Sequence, residues 1–178
     1  VERRQKIGDG NLAAGTVNSL LTDSPPVSQK LTELGIPHRV FRHEGQVTSL
    51  EQAASERGQR PGQVVRSIVF RLGEGRFAMV LMAGAAQISW PALRAHFGQS
   101  RLTMADQAEV QQATGYRVGT VSPIGLSNPM PILADKSLMA EEELSIGSGE
   151  RNVAVILQRE ELFRAIGKVE VGHFSSKT

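Results

Sequence analysis

The segment of this chain best suited to chemistry is "GYRVGTVSPIGL", residues 115–126, in which Gly115, Gly119 and Gly125 alternate with apolar residues around Pro123. Glycine permits close backbone approach and proline holds the shape, so such a segment either only turns a corner or brings its amide groups against a ligand. Other chemistries lack their residues. His38, His43, His96 and His173 never stand at a metal-ligand spacing and have no accompanying aspartate pair, so each reads as a surface or packing histidine. The chain has no cysteine, which removes disulfides, thiolate metal sites and thiol nucleophiles together. "IGSGERN" lacks the lysine of a phosphate-binding loop, and "GEGR" reads as a hairpin turn. Ser122 sits in no nucleophile-elbow pattern and has no histidine or acid near it in sequence.

Composition sets wider limits. A chain of 178 residues with 40% hydrophobic content suits one globular domain with a sizeable core. No apolar run approaches the roughly 20 residues of a membrane span. Residues 1–26 lack the apolar centre of a secretory signal, and the expectation is a soluble, cytoplasmic protein. The formal charge is +2. Its basic residues are mostly arginines, among them Arg57, Arg60, Arg66, Arg71, Arg94, Arg101, Arg117 and Arg151. Guanidinium suits phosphate, but an arginine-rich solvated surface reads the same way, and charge alone does not establish nucleic-acid binding.

The elements that must position the loop follow from capping and periodicity. Residues 1–24 have no sustained period and read as a tail or loosely docked extension, with the domain proper over 25–178. Ser24 is placed to cap a helix carrying Val27, Leu31 and Leu34 on one stripe and stopped at Gly35. "PHRVFRH" alternates as a strand. "TSLEQAASERG" follows as a helix with Thr48–Glu51 or Ser49–Gln52 as its capping box. "QVVRSIVFRLGEGRFAMVLMAG" reads as a hairpin turning at Gly73–Gly75. Ser89 caps "WPALRAHFG", and "ADQAEVQQATG" forms a helix ending at Gly115, directly before the loop. "MPILAD", "EELSIGSG" and "NVAVIL" read as strands, and "QREELFRAIG" as a closing helix. Hairpin-like pairs mixed with helices point to the α+β class rather than a doubly wound sheet.

From Val27 to Gly167 the chain resembles the YbaK/prolyl-tRNA-synthetase-associated editing family. The similarity runs in order through "HRVFRHEGQVTSLEQAA", "PGQVVRSIVF", "FAMVLMAG", "ATGYRVGTVSPIGL", "PILADKSL" and "IGSGERNVAVILQREEL". The resemblance implies one mixed central sheet, partly barrel-like, wrapped by helices. It implies a hydrolase that removes a wrongly attached small amino acid, such as alanine or cysteine, from a tRNA such as that for proline. The aminoacylated 3′ end of tRNA would be its partner, with a synthetase as a further one and neither metal nor cofactor. The chain reads as a trans-acting form of such an enzyme.

The same resemblance assigns roles. Gly119, Thr120, Val121, Ser122 and Pro123 match the family's glycine-x-x-x-proline loop, with Ile124 and Gly125 completing it. The amides of that loop would stabilise the charge developing on the ester oxygen. Gly147, Ser148 and Gly149 would form the opposing wall, and Phe41, His43 and Arg151 would touch substrate. Relatives carry a lysine where this chain has Arg66, followed here by Ser67; Arg66, Gly119 and Thr120 are the expected catalytic set. An aspartate that some relatives have near Ala154 is absent. Arginine stays protonated and needs more room than an ammonium, so a catalytically weak relative that binds tRNA or an aminoacyl-nucleotide-like ligand is the alternative.

Overall fold

Short strands and capped helices alternate to build two β-sheets clothed by five α-helices in a computed structural model that describes residues 23–176. The extension expected over residues 1–24 lies, except for Asp23 and Ser24, outside the described residues. Helix α1 (Pro26–Glu33) starts one residue later than expected: Pro25 holds the N-cap position, not Ser24. Val27 and Leu31 are fully buried, whereas Leu34 has left the helix and is exposed. Strand β1 spans Arg39–Arg42, and α2 (Leu50–Glu56) is capped by Ser49, whose side chain accepts from Gln52 N at 3.0 Å. Of the two capping boxes the sequence offers, Ser49–Gln52 supplies the cap. A 3₁₀ turn (Pro61–Gln63) leads into the hairpin of β2 (Val65–Gly73) and β3 (Arg76–Ala83).

Helix α3 (Trp90–Phe97) has Ser89 at its N-cap, and β4 (Thr103–Met104) follows. Helix α4 (Gln107–Thr114) opens on a reciprocal box between Asp106 and Glu109 and ends at Gly115, whose φ of +81° is left-handed. After the glycine-rich loop come β5 (Ile132–Asp135), a 3₁₀ turn (Lys136–Ala140), β6 (Glu143–Gly147), β7 (Val153–Gln158), α5 (Arg159–Ile166) and β8 (Glu170–Gly172). No helix among the described residues is long and apolar enough to cross a membrane.

The smaller sheet has the order β1-β7-β6 and is antiparallel throughout. The larger has the order β4-β2-β3-β5-β8, antiparallel over β4, β2 and β3 and parallel from β3 to β5 to β8. A single parallel bridge between Val64 and Ser145 joins the two sheets, so the assembly curls without closing into a barrel. Successive strand residues point to opposite faces, which sends Val69, Met79 and Leu81 into one cluster with Val27, Leu31, Leu144 and Leu162. Phe70, Val80 and Met82 enter a second cluster with Leu93 and Leu133.

Asp135 fastens the end of β5 to the C-terminal segment. Its Oδ2 accepts from Phe174 N at 2.7 Å and Ser175 N at 2.9 Å, and Oδ1 accepts from Ser137 N at 3.0 Å. Burial pushes this carboxyl up, but the hydrogen bonds from Ser137, Phe174 and Ser175 outweigh it and hold the group below its ordinary range. A depressed pKa stabilises the fold above the unfolded value of about 3.9, and that contribution is lost as pH falls through the folded value. Asp135→Asn turns an acceptor into an amide facing N–H donors. It is expected to cost about 1–3 kcal/mol at pH 7. Denaturant titrations at pH 7 and pH 3 should show the gap between variant and wild type narrowing in acid.

Candidate active site

Strand β4 pairs only with Phe70 and Arg71, so the first half of β2 has no strand on that side. There a cavity of about 400 Å³ opens, walled by α4, by the loop that follows it and by the end of β6. Val65, Val69, Val110 and Ile146 make its surface largely apolar, while Arg57, Arg66, Ser67, Gly119, Val121 and Gly147 bring polar or backbone groups to it. The Ser67 hydroxyl is buried and has no hydrogen-bond partner.

Local bonding fixes the glycine-rich loop. Thr120 N and Oγ1 both donate to Arg117 O, at 3.0 and 2.8 Å, and Thr120 O accepts from Gly149 N at 3.0 Å. Tyr116 donates its hydroxyl to Ile124 O at 2.6 Å, and burial pushes this phenol up. Ser122 Oγ accepts from Ile124 N at 3.2 Å. Ser148 Oγ donates to Val153 O at 2.8 Å and accepts from Glu150 N at 3.1 Å. The hydroxyls of Thr120, Ser122 and Ser148 therefore brace the two segments. Gly119 and Val121 differ: both line the cavity, and neither N–H donates to another described residue. Gly147 permits the crossing, because a Cβ there would stand 2.1 Å from Val121 O.

The cavity thus brings together Arg66, Ser67, Gly119, Val121 and Gly147 of the residues singled out in the sequence. The others lie elsewhere. Pro123, Ile124 and Gly125 border a separate depression shared with Lys30 and Leu34. Ser122, Ser148 and Thr120 are buried within the scaffold, Gly149 packs against the Tyr116 ring, and Arg151 is exposed in the turn between β6 and β7. Phe41, opposite Ala154, places its ring edge against His43 with centroids 4.9 Å apart, and neither residue lines the cavity.

The two arginines at the cavity are held differently. Arg66 donates from Nε to Gly84 O at 2.7 Å and from Nη2 to Ala86 O, so its head is tied to the segment between β3 and α3. Arg57, which no sequence motif marked as a site, donates from Nε to His43 Nε2 at 3.1 Å and from Nη1 to Ser145 Oγ at 2.9 Å. Since His43 Nε2 accepts, its proton sits on Nδ1 and is donated to Glu56 Oε2. The His43 side chain is 1% exposed. The bond from His43, helped by that from Gln52, holds the Glu56 carboxyl below its usual range. Desolvation pushes both guanidinium groups down, though arginine remains charged. Among the described residues no group of three or more His, Cys, Asp or Glu side chains could hold a metal ion.

The chain belongs to the aminoacyl-tRNA editing domain family, whose profile covers residues 43–165. Among individual proteins it is 27% identical over 148 residues to the Escherichia coli K12 protein named multifunctional Ser/Thr-tRNA deacylase ProXp-y, covering 81% of this chain and 87% of that one. It is 28% identical over 114 residues to a proline--tRNA ligase of Thermosipho melanesiensis, a match that takes in 64% of this chain but only 20% of the ligase. The fold superposes with a TM-score of 0.77 on the crystal structure of a candidate trans-editing enzyme for prolyl-tRNA synthetase, at 25% identity over 85% of this chain and 95% of that one.

Proposed function

We propose that this chain hydrolyses, in trans, the ester of a tRNA mischarged with a small amino acid such as alanine or cysteine, with proline tRNA as a carrier. The observation that carries this reading is the pair of undonated N–H groups, Gly119 and Val121, on an apolar cavity in a member of the editing family. An aminoacyl ester is already activated toward water, so the protein has mainly to hold it and stabilise the oxyanion. Water adds to the carbonyl carbon, the carbonyl electrons pass to the oxygen facing these amides, and the ester C–O bond then breaks. The proton lost by water ends on the departing ribose oxygen, leaving free amino acid and tRNA. A synthetase pocket separates substrates differing by one methylene by only about 1–3 kcal/mol, which is why a second pocket of different shape is needed.

The test uses free alanyl-, cysteinyl-, seryl-, threonyl- and prolyl-tRNA, serine and threonine being included because of the Escherichia coli relative's name. Wild-type protein is expected to release at least one of these amino acids well above the spontaneous rate. Arg66→Ala removes the cation and leaves Gly84 O and Ala86 O without their donors, so kcat/KM is expected to fall about tenfold or more. Arg66→Lys should retain part of it. A second reading, a tRNA-binding relative without turnover, is favoured by one observation: the Arg66 head is already engaged by two backbone carbonyls. Silence across the panel, with tRNA affinity that falls steeply as salt rises, would select it.

A further inference from the structure

Arg57 is the arginine at this cavity whose surroundings are unfinished. Its Nε and Nη1 bonds go to the His43 ring and the Ser145 hydroxyl; among the described residues no carboxylate pairs with it directly, and the Glu56 carboxylate acts on it only through space. A guanidinium carries five N–H donors. The remaining ones belong to a partly buried cation on the wall of an apolar cavity. Such a charge is normally paired, and its interactions strengthen as water is excluded. Its orientation is also fixed to a degree unusual for a long side chain. Glu56 holds the His43 ring, the ring presents its Nε2 lone pair to Arg57 Nε, and Ser145 on β6 takes Nη1. Gln52 in turn donates to Glu56 Oε1 at 2.8 Å, anchoring the outer end of the chain.

We propose that Arg57 is the residue that donates to an oxygen of the scissile ester in this cavity, with His43 and Glu56 as positioning residues that aim it. The inference rests on the editing reading of the same cavity. An ester oxygen suits the site better than a phosphate, because it gains full charge only in the transition state and a phosphate would bring its charge into an apolar cavity from the start. Arg66 is the weaker candidate for this contact, since two carbonyls already occupy its head.

The experiment measures kcat and KM on the preferred ester, and calorimetric binding of the matching 3′-aminoacylamino-adenosine, in which an amide replaces the ester. Arg57→Met is expected to lower kcat about 100-fold with KM changed less than about threefold, and Arg57→Lys to restore part of kcat. His43→Gln keeps an acceptor for Arg57 Nε–H and should retain most of kcat. His43→Leu should lose about tenfold, the worth of one charge-assisted bond. If wild type hydrolyses an ester and Arg57→Met does so equally well, this inference is overturned and the editing reading stands. Equal activity of His43→Gln and His43→Leu overturns the positioning role. Equal losses in Arg57→Met and Arg57→Lys that track a lowered melting temperature overturn the ester contact in favour of a structural one. A wild-type protein that hydrolyses no ester and does not bind the amide defeats both readings together.

Discussion

Gly147→Ala is expected to reduce ester hydrolysis at least 100-fold and to destabilise the fold by about 1–3 kcal/mol. The added Cβ would lie 2.1 Å from Val121 O and 2.8 Å from Thr120 O, and both obstacles are backbone atoms that cannot rotate away. The loop carrying Gly119 and Val121 must therefore move off the end of β6, or β6 must yield. Either shift carries the two amides away from the position proposed for the carbonyl oxygen, and a displacement of about 1 Å suffices for losses of this size. Tyr116 limits how far the loop can adapt, because its hydroxyl bonds Ile124 O while its ring packs against Gly149. Single-turnover deacylation separates the loss in chemistry from any loss in binding, and thermal unfolding reports the structural cost. Hydrolysis within threefold of wild type would show that the close crossing of the two loops does not position the amides.

The facing of these two segments came from the family resemblance, which set residues 146–149 opposite the glycine-rich loop, and only the end of α4 at Gly115 was marked by a local signal. Gly115, left-handed at the end of α4, leaves room for the Ser127 side chain, and Gly147, the last residue of β6, leaves room for the backbone of Thr120 and Val121. Helix caps at Ser49 and Ser89, and the β2–β3 hairpin, were readable because each signal lies within a few residues of the element it sets. Strands β4 and β8 were not, because two and three residues carry no period and these segments become strands only by pairing with β2 and β5. Arg57 was invisible as a cavity residue because what places it there is distant in sequence. Its bond to Ser145 spans 88 positions, and its link to His43 exists only once β1 and α2 pack together. The one local hint was an arginine at the C-cap of α2, directly before Gly58. Motif continuity set Pro123, Ile124 and Gly125 on one surface with Gly119 and Val121, and the backbone turns them toward another depression.

The two faces of the larger sheet divide the work, and this separation predicts a variant with the reverse phenotype of Gly147→Ala. Phe70 is fully buried in the cluster beneath α3, with its ring edge-on to Trp90 at a centroid distance of 5.5 Å. Phe70→Ala removes a large side chain from a close-packed interior and is expected to cost about 3–5 kcal/mol, part of it from the aromatic pair. Val69, its neighbour in sequence, points to the other cluster and lines the cavity, whereas Phe70 does not line it and is linked to it through Ile68 and Met104. Denaturant unfolding should therefore show a large fall in midpoint with little change in slope. Hydrolysis by the fraction still folded at low temperature should stay within about threefold of wild type, because Phe70 itself does not line the cavity and reaches it only through Ile68 and Met104. A loss of kcat as large as the loss of stability would mean that the sheet transmits packing strain into the cavity, and that Met104, which pairs with Phe70 and lines the same cavity, is its carrier.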